Sequence, residues 1–172
     1  MKLAIGSDER THLTDFVCHE LESYGHSILK FGALCDTASH EEKRWTSAAQ
    51  QVAECVSNGA CEQGILFCWT GTGVTIAANK VPNVRAALCT DAETAKGARR
   101  WNNANVLAMS LRLTSESVAK EMLREWFSTA PEANTENQAC LATLENLERK
   151  YLAPHASNFE HDFQAISSVV PK

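Results

Sequence analysis

The stretch FCWTGTGVTIAANKVPNVRAALC, residues 67–89, places a thiol, two hydroxyls and two glycines close together. Cys68 ends an apolar run, and Thr70 and Thr72 then alternate with Gly71 and Gly73. Glycines in such a turn permit backbone conformations that aim N–H groups into a common space. The positive N-terminal end of a following helix adds to the positive electrostatic field of these N–H groups. This combination suits an anion, whether it is bound or develops during a reaction.

The thiol beside this turn has two interpretations. The field of the turn favours the thiolate, so that Cys68 can act as a base or a nucleophile. Alternatively, Cys68 ends a buried strand as a small hydrophobic residue, and the glycines only make a tight turn. The residue types by themselves leave both interpretations open.

Three better-known loops do not fit this stretch. A P-loop requires G-x-x-x-x-G-K-[ST], and that spacing is absent here. A dinucleotide fingerprint needs glycine at position 76, which is Ile76, and normally follows the first strand. A small cysteine phosphatase carries arginine six residues after the thiol, where Val74 stands. The loop therefore favours a thiol base next to an anion hole.

Apolar runs alternate with amphipathic helical patterns along the chain, which predicts a parallel sheet with helices on both faces. Strands are predicted at residues 3–6, 27–32, 64–68, 84–89 and 105–110. Helices are predicted at residues 12–24, 46–57, 73–80, 91–101, 115–128 and 137–151. The predicted fold class is α/β, a three-layer sandwich around a five-stranded parallel sheet, followed by a C-terminal helix and a tail.

The chain is predicted to form one domain over residues 1–152, with residues 153–172 as a tail or an arm over a partner subunit. In a parallel sheet, ligands bind at the carboxyl ends of the strands. Polar side chains follow the first, third and fifth predicted strands at these ends. They are Asp8, Glu9 and Arg10, then Cys68, Thr70 and Thr72, then Arg112.

Composition excludes several classes of protein. The formal net charge is -5 and no basic run stands out, which argues against nucleic acid or an anionic membrane surface as a partner. The N-terminus MKLAIGSDER becomes polar too soon for a secretory signal, and no apolar run is long enough for a membrane span. The seven cysteines form no C-x-x-C pair and no zinc-ligand spacing. We expect reduced thiols in a cytoplasmic protein that binds no metal.

With these residues the chain resembles the ribose 5-phosphate isomerase B and galactose-6-phosphate isomerase family. The core C-W-T-G-T-G-V-T-I-A-A-N-K-V-P-N-V-R-A-A resembles the family's C-G-T-G-x-G-x-x-I-A-A-N-K-x-x-G-I-R-A. I-G-S-D, which ends at Asp8, matches the family's first strand and its aspartate. R-x-x-N-N-A-N-V-L-A, from Arg99, matches R-x-H-N-D-A-N-V-L-A, and Arg112 matches an arginine soon after that strand. The resemblance covers about residues 1 to 130.

The resemblance implies a Rossmann-like sheet, a homodimer or homotetramer with composite active sites, and isomerisation of an aldose to a ketose through an enediol, without metal or cofactor. It implies that Cys68 is the base, that Thr70 lies beside it, and that Asp8 holds a sugar hydroxyl. Backbone amides of Gly71 and Gly73 would donate to the enediolate oxygen. Asn102 matches an asparagine that contacts substrate.

Several positions depart from the family pattern. The ring-opening histidine is replaced by Trp101, the histidine after the aspartate by Glu9, and the glycine after the catalytic cysteine by Trp69. Residues 133–145 contain no arginine or histidine to clamp a phosphate. Any phosphate would then be held by Arg10 or Arg112.

These departures leave two hypotheses. The first is an isomerase with a pocket narrowed by Trp69 and Trp101, both expected at the rim of the site, where aromatic rings stack on sugars. Such a pocket favours a short sugar phosphate or an unphosphorylated sugar, and disfavours ribose 5-phosphate. The second is a non-catalytic or regulatory subunit that binds a sugar phosphate. The turn at Cys68 favours the first hypothesis, and the lost histidine and phosphate clamp favour the second.

Overall fold

The computed structural model of the protein describes residues 1–151. The strands are β1 (Lys2–Ser7), β2 (Ser27–Gly32), β3 (Gln63–Cys68), β4 (Ala86–Leu88) and β5 (Val106–Ser110). The helices are α1 (His12–Ser23), α2 (Trp45–Ser57), α3 (Thr72–Ala78), α4 (Ala92–Asn102), α5 (Glu116–Ser128) and α6 (Thr135–Tyr151). The predicted order of strands and helices is confirmed. The predicted tail at 153–172 lies outside the described residues.

All five strands pair in parallel, in the spatial order β2-β1-β3-β5-β4. The central strand β3 pairs with β1 on one side and with β5 on the other. Its residues Gly64–Cys68 are all buried, because helices cover both faces of the sheet. This order places the carboxyl ends of β1, β3 and β5 side by side.

Two apolar layers flank the sheet. Successive side chains of each strand point to opposite faces, so each strand contributes residues to both layers. On one face, α2 and α3 pack against alternate strand residues that include Ala4, Leu66, Cys68 and Ala108. On the other face, α1, α4 and α5 pack against strand residues that include Phe67, and α5 contributes the fully buried Trp126. The α/β three-layer sandwich predicted from the sequence is therefore confirmed.

The helix boundaries follow local signals in the sequence. Thr11 caps α1 and Asp91 caps α4, each as part of a capping box, and Ser115 caps α5. Gly25 follows the last turn of α1 with φ of +80°, a conformation that glycine adopts without strain. β4 has only three residues, where the sequence predicted six, and α6 begins two residues earlier than predicted.

The helix α6 differs from the other helices because none of its 17 residues is buried. Its large apolar side chains Leu144, Leu147 and Tyr151 are exposed. Across residues 1–151, no helix combines the length and apolar character that crossing a membrane requires.

Candidate active site

The thiol of Cys68 lies at the carboxyl end of the central strand β3 and is almost fully buried, with 6% of the residue exposed. The backbone N–H of Gly71 donates a hydrogen bond to its Sγ atom across 3.2 Å. This contact fixes the position of the sulfur relative to the turn. The sequence expected this amide to face the substrate oxygen, whereas the structure directs it to the sulfur.

The turn after Cys68 has a geometry that only glycine supports at position 71. Gly71 has φ of +77°, and a Cβ atom built there would lie 2.4 Å from Cδ1 of Leu88. Both the positive φ and the contact exclude a larger residue. The constraint fixes the amide of residue 71 against the sulfur.

Two hydroxyls face each other beside the thiol. The Oγ1 atoms of Thr70 and Thr72 are 2.7 Å apart, so one of the two hydroxyls donates to the other. Both residues are exposed, which leaves the second hydroxyl hydrogen available to a ligand. Thr72 and Gly73 lie in the first turn of α3, where backbone amides have no intrahelical acceptor. This side of the turn therefore presents donors to the solvent.

The carboxylate of Asp8 follows β1, the strand next to β3. Its Oδ1 atom is buried and has no hydrogen-bond partner within residues 1–151. Burial of the carboxyl raises the pKa of Asp8 above its usual value, and the charge of Glu9 adds to the rise. An unpaired buried oxygen of this kind is ready to accept a hydrogen bond from a ligand hydroxyl.

Backbone and hydroxyl contacts join the ends of β3 and β5. The hydroxyl of Ser110 donates to the carbonyl oxygen of Trp69 across 2.9 Å. The backbone N–H of Arg112 donates to the same carbonyl across 3.1 Å. Arg112 is therefore held beside Trp69, and both side chains are exposed at this edge of the sheet.

The two arginines proposed for phosphate differ in their surroundings. Arg10 pairs with Asp15, with Nε 2.8 Å from Oδ1, and with Asp36 at 3.3 Å. Its charge is therefore already matched by two carboxylates. The exposed side chain of Arg112 forms no ion pair within the described part of the chain.

Within one chain, α4 carries Trp101 and Asn102 away from the edge of the sheet where Cys68 lies, so the structure does not bring Trp101 to the rim beside Trp69. Their helix α4 starts beyond the carboxyl end of β4 and extends about 16 Å towards the amino end of β5. The carbonyl of Asn105, soon after α4, accepts a hydrogen bond from the N–H of Gly64 at the start of β3. The residue types at the strand ends do not indicate this separation, because it depends on the length of α4.

An open groove runs along α4, with a volume of about 460 Å³. Trp101, Asn102, Leu88 and Cys89 are among its lining residues. Burial raises the pKa of Cys89 to about 12, so this thiol stays protonated at neutral pH. Within residues 1–151 no backbone amide donates to its sulfur, whereas Gly71 donates to that of Cys68. Leu88 separates this groove from the Gly71 turn.

Sequence reasoning missed one aromatic residue of this site. Trp45, the first residue of α2, lies against Gly73, and 43% of it is exposed. It was not singled out because it follows a charged loop, EEKR, which indicates only a solvated segment. No cluster of ligating side chains within residues 1–151 has a metal-binding arrangement.

Comparisons with known proteins show the family to which the chain belongs. A profile of the family described as Ribose/Galactose Isomerase matches residues 3–144. The chain is 33% identical over 141 residues to ribose-5-phosphate isomerase B of Escherichia coli, covering 80% of this chain and 90% of that protein. It is 32% identical over 127 residues to D-erythrulose-4-phosphate isomerase of Pectobacterium atrosepticum, covering 73% and 82% of the two chains.

A solved structure shares the fold. The chain superimposes on ribose-5-phosphate isomerase B of Clostridium thermocellum with a TM-score of 0.78 and 33% identity. The match covers 88% of this chain and 99% of that one.

Proposed function

Because the chain belongs to the Ribose/Galactose Isomerase family, we propose that it is an aldose–ketose isomerase that uses Cys68 as its base and a four-carbon sugar phosphate as its substrate. The observation that carries the proposal is the thiol of Cys68, which receives a hydrogen bond from Gly71 at the carboxyl end of the central strand. The family relationship favours an enzyme over the alternative of a non-catalytic or regulatory binding subunit.

The reaction moves one proton between adjacent carbons and a second between their oxygens. The Cys68 thiolate takes the proton from the carbon next to the carbonyl, and the electrons of that C–H bond form an enediolate. The same thiol then returns the proton to the former carbonyl carbon. The backbone N–H of Gly71 donates to the sulfur between these two steps.

The developing oxyanion needs donors that are fixed before the reaction starts. The hydroxyl pair of Thr70 and Thr72 and the first-turn amides of Thr72 and Gly73 supply them on one side of the sulfur. The unpaired Oδ1 of Asp8 accepts a hydrogen bond from a substrate hydroxyl on the other side. We place the exposed Glu9, next to it, at the substrate as well.

We further propose a dimer in which Trp101 and Asn102 of a second copy complete the site. The course of α4, which carries both residues towards the amino end of β5, supports this arrangement. The exposed apolar residues of α6, together with Trp101, supply area for such a contact. The composite site expected from the family resemblance fits this separation.

A four-carbon substrate fits the departures from the family pattern. Its phosphate occupies the oxygen that would close a furanose ring, so the substrate is open-chain and needs no ring-opening histidine at position 101. The similarity to a D-erythrulose-4-phosphate isomerase supports this choice. Since Arg10 is paired with Asp15 and Asp36, Arg112 is the arginine that binds the phosphate.

The seven cysteines are all unpaired, which fits a reducing compartment and supports the predicted cytoplasmic location. The proposed function is tested with D-erythrulose 4-phosphate and ribose 5-phosphate in D₂O. We expect deuterium at the carbon next to the carbonyl and a higher kcat/KM for the four-carbon sugar. Binding of either sugar with no deuterium exchange would instead indicate the non-catalytic subunit. A higher kcat/KM for ribose 5-phosphate would contradict the proposed substrate.

A further inference from the structure

Trp45 lies with the six-membered ring of its indole against the backbone of Gly73. A Cβ atom built on Gly73 would lie 3.1 Å from Cε3 of Trp45 and 3.3 Å from its Cζ3. The φ of Gly73 is not in the left-handed region, so the glycine is needed for space and not for backbone conformation. The indole therefore packs directly on the turn that presents donors to the substrate.

The position of Trp45 also brings it to the edge of the sheet where Cys68 lies. The chain leaves the carboxyl end of β2 at Gly32, and α2 starts with Trp45 after the connecting loop. Cys68 belongs to the apolar layer that α2 and α3 build on this face of the sheet. Trp45 therefore lies at the start of α2, on the same face of the sheet as the side chain of Cys68.

The exposure of Trp45 is unusual for a tryptophan that only fills a core. Trp126 is fully buried, and its indole N–H donates to Oε1 of Gln63 across 2.6 Å. Trp45 keeps 43% of its surface exposed, and its indole N–H has no acceptor among residues 1–151. One part of the indole ring packs against Gly73, and the rest is exposed to solvent beside the proposed site.

We propose that Trp45 is a specificity-determining residue that forms a wall of the sugar pocket and limits the substrate to four carbons. This inference rests on the proposed function. The rigid indole presents an apolar face to the C–H groups of the sugar. Its bulk occupies the space that the additional CHOH group of a five-carbon sugar phosphate needs when its reacting carbon is at Cys68. A pocket discriminates between substrates that differ by one such unit by roughly 10- to 200-fold.

The test compares Trp45→Ala and Trp45→Phe with the wild type on D-erythrulose 4-phosphate and ribose 5-phosphate. For Trp45→Ala, we expect the ratio of kcat/KM for the four-carbon sugar to that for the five-carbon sugar to fall roughly ten-fold or more. The change should appear mainly as a higher kcat/KM for ribose 5-phosphate, because the space for its additional CHOH group is opened, and KM for the four-carbon sugar should rise less. Trp45→Phe keeps a six-membered ring against Gly73 and should retain the wild-type ratio within about three-fold.

A matched control is Tyr24→Ala, which removes an aromatic ring of similar exposure, 41%, that lies after α1 at the other edge of the sheet. It should leave the ratio unchanged. If Trp45→Ala does not fold, Trp45→Leu keeps an apolar contact with Gly73 while removing most of the wall, and the same fall in the ratio is expected. An unchanged ratio in folded Trp45→Ala or Trp45→Leu, with an active wild type, would overturn this inference alone. A wild type without turnover or deuterium exchange on either sugar would overturn the proposed function, and the inference with it.

Discussion

The backbone N–H of Gly71 lies 3.2 Å from Sγ of Cys68 and donates a hydrogen bond to it. The two residues are held in this relationship by the positive φ of Gly71 and by its close approach to Leu88. The amide is therefore fixed before substrate binds, so that no reorganisation accompanies formation of the thiolate.

Cys68→Ala should reduce isomerisation by more than about 100-fold, because it removes the proposed base. Folding should be nearly intact, since the change deletes a single heavy atom. Cys18→Ala is the matched control: Cys18 is also buried, with 6% exposed, and lies in α1. Steady-state kinetics and thermal unfolding of both variants decide the matter, and activity of Cys68→Ala close to that of Cys18→Ala would reject the thiol as base.

Gly71→Ala should lose both stability and activity, since its Cβ atom would meet Leu88 and displace the amide from the sulfur. Gly59→Ala is the matched control, because Gly59 has φ of +75° but no atom within 4 Å of the added Cβ. We expect Gly59→Ala to lower the free energy of unfolding by about 1–2 kcal/mol, the strain of a left-handed conformation, with normal kcat.

Gly71→Ala should lower the free energy of unfolding further than Gly59→Ala does, and a second change, Leu88→Ala, should recover part of the difference by relieving the contact. Urea denaturation and kcat measurements on the single and double variants provide the test. Full activity in Gly71→Ala would mean that the amide is not needed by the sulfur.

The sequence predicted the sheet, its helices and the residues at the ends of β1, β3 and β5, because apolar periodicity and strand ends are local features. It could not predict that the amide of Gly71 faces Cys68, since this depends on the conformation of a four-residue turn. The pattern of strand ends also did not give the position of Trp101 relative to Cys68, because that position depends on the length and direction of α4.

Trp45 was missed for a different reason. A lone aromatic residue after a charged loop has no periodicity and no neighbouring motif. Its role appears only when α2 and α3 pack on the same face and bring the indole onto Gly73. The pairing of Arg10 with Asp15 and Asp36 is likewise a tertiary feature, because Asp36 is distant in sequence.

Asp8→Asn should make the folded protein more stable at neutral pH and less active. The pKa of Asp8 is raised by burial from its usual 3.8, so the folded state holds this proton more tightly than the unfolded chain does. Stability from this group is fully present below pH 3.8 and is lost as the pH rises through the folded pKa. The free energy of unfolding of the variant should therefore rise relative to that of the wild type as the pH increases from about 3.5 to 7.

Urea denaturation of Asp8→Asn across this pH range measures the gain, and Glu9→Gln serves as the control for removing a neighbouring exposed carboxylate. The isomerase activity of Asp8→Asn should fall by about ten-fold or more, since the amide is a weaker acceptor for the sugar hydroxyl. A constant stability difference at every pH would show that Asp8 is not desolvated in the folded protein.

The composite site makes a prediction that no single-chain site can satisfy. Cys68→Ala and Asn102→Ala should each be nearly inactive, because each removes one part of every site. Mixing the two variants under conditions that exchange subunits should restore about a quarter of the wild-type activity: half of the dimers are mixed, and each mixed dimer has one intact site of two. Sedimentation at micromolar concentration should show a dimer or a larger assembly for the wild type.

The control is a mixture of Cys68→Ala with Cys68→Ala/Asn102→Ala, which shares the exchange conditions but cannot form an intact site. Failure of the first mixture to exceed this control, with exchange verified by differently tagged chains, would place Asn102 outside the partner's site. Its position on α4, away from the edge of the sheet where Cys68 lies, would then be purely structural. Recovery of activity would instead require Cys68 and Asn102 to act from different chains, because the mixed dimer holds them intact together only across the interface.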